Sequence, residues 1–260
     1  MFFKNLCVEL SQLPQVEAIA LGGSRAGNAF DKNSDYDLYV YVNSLPDEKV
    51  RKEILEKYCS YIEAGNSFWE LEDDCTLKDG VDIDILYRDL ENFGKGIASV
   101  VEGFESHNGY TTCMWHNLLN CKILFDRNNK LTDLQSKYNV SYPEELKENI
   151  IGRNMKLLHG FLPSYDRQIL KAIKRNDLVS VNHRTAAFLE SYFDIIFAMN
   201  ELTHPGEKRE VPYALKHAKK LPENFESDLE ELFNSMFDKN SISSVPKILD
   251  RIISALKAVI

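Results

Sequence analysis

The chain has 260 residues, 44% of them hydrophobic and 27% charged, with a formal net charge of −9. That length suits one large domain or two modest ones with a sizeable core. The acidic balance argues against a nucleic-acid polymer as substrate, because such binders present a basic surface; it is compatible with a small, cationic acceptor.

No leader and no membrane span is expected, because the first residues show no cleavage signal and no run reaches about 18 apolar residues. The five cysteines, Cys7, Cys59, Cys75, Cys113 and Cys121, form no Cys-x-x-Cys pair and no zinc-like spacing with the six histidines. An odd, scattered set reads as reduced and mostly buried thiols of a cytoplasmic protein.

Apolar residues at helical spacing over 2–13 predict a helix that Pro14 ends. A strand over 16–20 then leads into Leu21-Gly22-Gly23-Ser24-Arg25-Ala26-Gly27. After a polar turn comes a second strand, Ser34-Asp35-Tyr36-Asp37-Leu38-Tyr39-Val40-Tyr41-Val42. The strand period of two puts Asp35 and Asp37 on one face and Leu38, Val40 and Val42 on the other, toward a core. Neighbouring carboxylates repel each other. A hard divalent cation such as Mg²⁺ takes oxygen ligands and removes that cost. The amides of the glycine turn, the Ser24 hydroxyl and the start of a short helix suit phosphate oxygens, and Arg25 adds a charged fork. Phosphate donors and metal ligands joined by one tight connection read as metal-assisted phosphoryl or nucleotidyl transfer.

A helix is expected to open at Pro46-Asp47-Glu48 and to run to about residue 64, with Val50, Ile54, Leu55, Tyr58 and Ile62 on one face. A short strand over 67–71 follows. Its continuation, Glu72-Asp73-Asp74, reads as a solvated edge or loop, with attraction of a cationic acceptor as the alternative. The stretch 79–88 is a strand with Val81, Ile83 and Ile85 on one side and Asp82 and Asp84 on the other. Asp84 is preferred over Asp82 as a site carboxylate because it sits deeper in the apolar strand. Residues 90–104 read as a helix. Residues 106–116, with Tyr110, Thr111, Thr112 and Trp115, carry the side-chain types that line small-molecule pockets; a loop with satisfied polar groups fits equally well. A strand over 121–125, a turn at Asp126-Arg127-Asn128-Asn129 and a short helix over 131–138 close the first domain, residues 1–140.

From Tyr142-Pro143 onward strand-like alternation stops. Helical patterns over 144–162, 165–174, 177–201, 223–237 and 245–260 predict a bundle of five or six helices as a second domain, residues 141–260. The segment 186–199 is apolar nearly all round and belongs at its centre. The loop His204-Pro205-Gly206-Glu207-Lys208-Arg209 reads either as a contact to phosphates or acceptor, or as a plain helix stop.

The order Gly23-Ser24, then Asp35-x-Asp37, then an acid on a later strand resembles the DNA polymerase β-like nucleotidyltransferase superfamily. The two-part organisation is similar to the small-molecule nucleotidyltransferases, the group that includes aminoglycoside and lincosamide adenylyltransferases. The likeness covers the first domain motif by motif and the second by architecture only. It implies an α+β chain, with a mixed β-sheet flanked by helices followed by an all-α bundle. It also implies an enzyme of the EC 2.7.7 class that transfers a nucleoside monophosphate, with ATP as the default donor. The acceptor would be a hydroxyl of a small molecule, antibiotics included, which would make antibiotic resistance the biological role. By this resemblance Asp35, Asp37 and Asp84 are the catalytic residues and the ligands of a two-metal Mg²⁺ site, and Gly23, Ser24 and Arg25 bind the nucleotide. Asp84 as base and Asp84 as third metal ligand both remain open. Arg153 and His159 resemble the ribonuclease motif of HEPN helical domains, which gives a second reading, a toxin–antitoxin-like protein adenylyltransferase. A third is a nucleotide-binding module without catalysis.

Overall fold

Helix α1 (Phe2–Ser11) and strand β1 (Val16–Leu21) open a computed structural model that describes residues 1–26, 34–68 and 70–260. The chain forms two units. One comprises Met1–Ala98 and Asn117–Val140, the other Ser99–His116 and Ser141–Ile260. The segment 99–116, which the sequence reading assigned to the first domain, thus belongs with the helical unit.

In the first unit β1 is followed by one helical turn, α2 (Gly23–Ala26), and by β2 (Tyr36–Val42). Then come α3 (Glu48–Tyr58), β3 (Cys59–Asn66), β4 (Glu72–Leu77), β5 (Asp82–Asp89) and α4 (Leu90–Val101). After α5 (Cys113–Asn120), β6 (Lys122–Asp126) and α6 (Lys130–Tyr138) complete it. The chain leaves this unit within α4 and returns within α5. The sheet order is β3-β4-β5-β2-β1-β6. Strands β2 and β5 run parallel and the other neighbours antiparallel, so the sheet is mixed. Alternation decides the faces. Leu38, Val40, Val42, Ile83 and Ile85 bury against Leu6 and Leu10 of α1 and Ile54 and Leu55 of α3.

Two expectations for this unit are corrected. The helix expected to reach residue 64 stops at Tyr58, and Cys59 is extended at φ −106°, ψ 149°. Asp47 caps its start by accepting from the Lys49 amide at 2.9 Å. The helical spacing of Tyr58 and Ile62 is overruled by pairing: β3 sets Ile62 opposite Cys75 and buries Cys59. Packing against a neighbouring strand outweighs a weak local preference. The acidic run 72–74 is strand β4 and not a solvated loop. Asp73 is fully buried in an ion pair with Arg51 of α3, and it also accepts from the Gly65 amide at 2.9 Å. The Arg51 guanidinium lies 4.7 Å over the Tyr87 ring. The expected strand over 67–71 does not form among the described residues; β3 ends at Asn66 and β4 begins at Glu72.

The second unit holds α7 (Glu144–Leu158), α8 (Tyr165–Lys174), α9 (Leu178–Met199), α10 (Glu210–His217), α11 (Phe225–Ser235) and α12 (Val245–Lys257). The expected α+β organisation, a mixed sheet followed by a helical region, is the one found. Helix α9 is the centre: Phe188, Tyr192, Phe193, Ile195, Ile196 and Phe197 are each at most 3% exposed. Helix α10 lies outside the expected helical segments and contains Pro212, which stands in the first turn, where its missing amide forfeits no helical bond. A carboxylate, Asp194, is buried among the apolar side chains of α9. Asp194 accepts from the Thr111 amide at 3.0 Å, from Thr111 Oγ1 at 2.7 Å and from Asn154 Nδ2 at 3.1 Å. Burial pushes its carboxyl up to about 6, while those bonds pull it down. This clamp ties the 99–116 segment to α7 and α9. Among the described residues no helix is long and apolar enough to cross a membrane. All five cysteines are free thiols, and Cys7, Cys59, Cys75 and Cys121 are buried.

Candidate active site

The glycine turn and the acids of β2 and β5 all belong to the first unit. The Gly22 amide donates to the Asp37 carbonyl at 2.8 Å, which carries the β1–β2 ladder one step beyond Leu21. The chain then turns at once into α2. Gly23 has φ +56°, and a β-carbon there would fall 1.7 Å from Asp37 Oδ2. Only a residue without a side chain lets that carboxylate lie directly against the turn. Ser24 and Arg25 follow, half-buried. Arg25 Nε donates to the Ser34 carbonyl at 2.7 Å. Its guanidinium stacks 4.1 Å over Tyr36, which in turn stacks on Phe3 at 4.0 Å. Gly27 and the polar turn read after it lie outside the described residues, as does Trp69.

Asp37 of β2 and Asp84 of β5 are register partners on adjacent parallel strands. Register partners project to the same face, so the two carboxylates stand side by side on the face opposite Leu38 and Ile85. Asp82, the alternative weighed from sequence, is exposed and accepts from Thr76 Oγ1 at 2.8 Å. It lies one strand repeat away, opposite no acid of β2. Asp35 stands ahead of β2, which begins at Tyr36, and is half-buried. Among the described residues the β2–β5 ladder begins at Tyr36, one residue after it. Among the described residues no group of three or more His, Cys, Asp or Glu side chains is placed to hold a metal ion. Asp37 and Asp84 supply the paired hard oxygens that Mg²⁺ takes; Asp35 is not gathered with them.

The acidic face extends beyond the residues found from sequence. Asp74 of β4 is the register partner of Asp84 and accepts from Asn66 Nδ2 at 2.8 Å. The Glu72 carboxyl is raised by burial, then by Asp74, Asp84 and Glu70. The period-two pattern over 72–77, with Asp73, Cys75 and Leu77 buried and Glu72, Asp74 and Thr76 on the other face, was the cue that the charge run obscured. Further along β5, Arg88 forks onto Glu70 with two bonds of 2.7 Å and lies 4.2 Å over the Tyr39 ring.

The residues of the second reading lie in the helical unit and are held by neighbours there. Arg153 Nε donates to Asn108 Oδ1 at 2.8 Å, and His159 Nδ1 is 2.7 Å from Asp166 Oδ2. His204, from the loop read as a phosphate or acceptor contact, is fully buried.

Comparison with known proteins divides the chain in a related way. Residues 4–102 match the family described as nucleotidyltransferase domain, and residues 111–209 match one described as domain of unknown function DUF4037. A solved nucleotidyltransferase-like protein from Exiguobacterium sibiricum 255-15 aligns at 11% identity with a TM-score of 0.44, over 98% of this chain and 72% of that one. An aminoglycoside 6-adenyltransferase from Bacillus subtilis aligns at 8% identity with a TM-score of 0.29, over 99% of this chain and 89% of that one. No curated protein matches the chain at a significant level. The chain therefore carries a nucleotidyltransferase domain over residues 4–102, followed by a DUF4037 domain over residues 111–209.

Proposed function

We propose that this protein is a Mg²⁺-dependent nucleotidyltransferase that transfers a nucleoside monophosphate, AMP from ATP, to a hydroxyl of a small molecule. The observation that carries the reading is the pairing of Asp37 with Asp84, with the Asp37 carboxylate lying against the Gly23 turn. The match of residues 4–102 to a nucleotidyltransferase domain supports it. Asp37 and Asp84 would hold Mg²⁺, which when bound neutralises charge on the phosphate oxygens.

The chain's own residues would do the rest. The turn at Gly23, Ser24 and Arg25 would bind the outer phosphates, with Arg25 braced by Ser34 and Tyr36. The acceptor oxygen forms a bond to the α-phosphorus as the bond to the β-phosphate oxygen breaks. Pyrophosphate carries off the electron pair, and the hydroxyl proton passes to Asp84 where that carboxylate serves as base rather than as metal ligand. Holding acceptor and triphosphate in line is itself a large share of such a rate enhancement. Aminoglycosides and lincosamides fall within the proposed acceptor class through the sequence resemblance. Free, buried thiols suit a reducing cytoplasm as the location.

The test is pyrophosphate release from each of the four nucleoside triphosphates with Mg²⁺, against a panel of aminoglycosides, lincosamides and hydroxylated metabolites. We expect release with one acceptor, reduced ~100-fold or more in Asp37→Asn and in Asp84→Asn, which remove groups acting on the transition-state charge. Asp82→Asn should stay within about threefold of wild type, as suits an exposed carboxylate outside the pair. Asp35→Asn reports whether the first acid of the Asp35-x-Asp37 motif takes part. Triphosphate binding without release for any acceptor would leave a binding module and overturn the proposal.

A further inference from the structure

Two glycines in succession leave the turn after β1 without a side chain of its own to hold it, so its shape is set by what packs against it. Each glycine receives one side chain of β2. Asp37 takes the room over Gly23, and Tyr39, two residues on and on the same face, takes the room over Gly22. A β-carbon at Gly22 would fall 2.1 Å from Tyr39 Cε2 and 2.7 Å from the Tyr39 hydroxyl oxygen. The phenol end of the ring thus rests directly on the Gly22 backbone. Gly22 is where β1 hands over to α2: its amide donates to the Asp37 carbonyl at 2.8 Å, and its carbonyl accepts from the Ala26 amide at 3.1 Å. A ring seated there bears on the last bond between β1 and β2 and on the first bond of the turn together.

The ring is itself held in place. Tyr39 is buried, and the Arg88 guanidinium, its side chain 9% exposed, lies 4.2 Å over the ring. Arg88 is fixed in turn. Its Nε and Nη2 donate to the two carboxylate oxygens of Glu70 at 2.7 Å each, and its Nη1 donates to Asn117 Oδ1 at 3.3 Å. Asn117 also hydrogen-bonds the Tyr39 hydroxyl. With its fork closed on Glu70 and its side chain buried, Arg88 is a strut for the ring rather than a ligand for phosphate. Gly22, Tyr39, Glu70, Arg88 and Asn117 all belong to the first unit. They brace the turn at Gly22, as Ser34 and Tyr36 brace it at Arg25.

Backbone amides bind phosphate well when they are already in place, and displacement of such groups by about 1 Å weakens them ~100-fold. We propose that Tyr39, clamped by Arg88, is a positioning residue of the phosphate-binding turn: it presses on Gly22 and so holds the Gly23 and Ser24 amides in place for the outer phosphates of a nucleoside triphosphate. The inference rests on the reading of this turn as the phosphate site of a nucleotidyltransferase. It goes further by giving the preference for a triphosphate over a monophosphate to a side chain that acts through the turn.

The experiment titrates the intact chain, with Mg²⁺ present, against ATP, tripolyphosphate and AMP by calorimetry. Tyr39→Leu removes the ring. It should weaken ATP and tripolyphosphate by the same factor, about tenfold or more, and leave AMP within about twofold of wild type. Tyr39→Phe keeps the ring on Gly22 and should stay within about threefold for all three ligands. Arg88→Lys keeps the charge and loses the planar fork. It should shift the three affinities in the same pattern, by about threefold or more for the two polyphosphates, and it carries the test should Tyr39→Leu fail to fold. The ¹⁵N amide shifts of Gly23 and Ser24 should respond to tripolyphosphate in wild type and Tyr39→Phe and lose that response in Tyr39→Leu. An equal loss of affinity for AMP and the polyphosphates would show a merely structural role and overturn the proposal. So would unchanged tripolyphosphate binding in both Tyr39→Leu and Arg88→Lys, or none in wild type. A wild type that shows the expected binding pattern and yet transfers to no acceptor would sink the nucleotidyl reading and leave this one standing.

Discussion

At Gly23 an added methyl group has nowhere to go. The backbone is in the left-handed region, and the space is taken by Asp37 Oδ2. Gly23→Ala therefore strains the turn and displaces the carboxylate together. We expect a stability loss of about 1 kcal/mol, the usual size of the left-handed penalty, measured by urea unfolding. Transfer should fall further, ~100-fold, because displacement of a reacting group by about 1 Å has that effect. Such a split between stability and rate would mark the turn as part of the site. Asp73 gives the opposite pattern. It is fully buried on Arg51 and faces away from the acidic pair. Asp73→Ala leaves a buried guanidinium uncompensated and should cost about 3–5 kcal/mol. Replacing both partners with apolar residues, as in Arg51→Met/Asp73→Leu, should recover most of that loss. The glycines and the spacing to Asp37 were legible in the chain because turn chemistry is local. The Arg51–Asp73 pair was not, because its partners are 22 residues apart and both look like solvent-exposed charges.

Whole elements were read best where one residue pattern served one neighbour. Strands β1, β2 and β5 carry apolar residues at alternate positions or throughout, and each was found within a few residues of its bounds. Strand β4 escaped because its charged half and its buried half share the same residue type. Helix α10 begins at Glu210, and that start makes a pH prediction. The Glu210 carboxyl titrates at about 8 in the fold against an ordinary value of 4.5. The folded chain therefore binds more protons than the unfolded one across that interval. By linkage the group costs stability progressively as pH rises from about 4.5 to about 8, and no further above it. Glu190 of α9, Glu207 of the preceding loop, His204 and Tyr110 are the titratable groups that face it. In Glu210→Gln the stability of α10 should fall less between pH 5 and pH 8 than in wild type. Hydrogen exchange of the α9 and α10 amides across that interval would check it; equal slopes in both proteins would refute it.

At the scale of the whole molecule, the chain enters the helical unit at Ser99, leaves it after His116 and re-enters at Ser141. A cut at residue 140, the boundary suggested by composition, would take Thr111 away from Asp194. A 141–260 fragment would then keep a buried carboxylate without two of its hydrogen bonds, at a cost of about 1–3 kcal/mol for each unmade bond to a charged group. We expect that fragment to lose cooperative unfolding, and a fragment extended to begin at residue 99 to recover it; calorimetry of the two decides. Sequence by itself determined the glycine turn ahead of β2, the α+β order and the apolar centre of the bundle. These follow from local turn chemistry and from periodicities of two and 3.6 residues, which each segment carries alone. Only the tertiary structure decided that Asp84 is the register partner of Asp37, that β4 runs through the sheet, and that Thr111 and Asn154 meet on Asp194. Register between strands and the meeting of distant side chains are set by the packing of whole elements, and no single segment encodes the partner against which it will be buried.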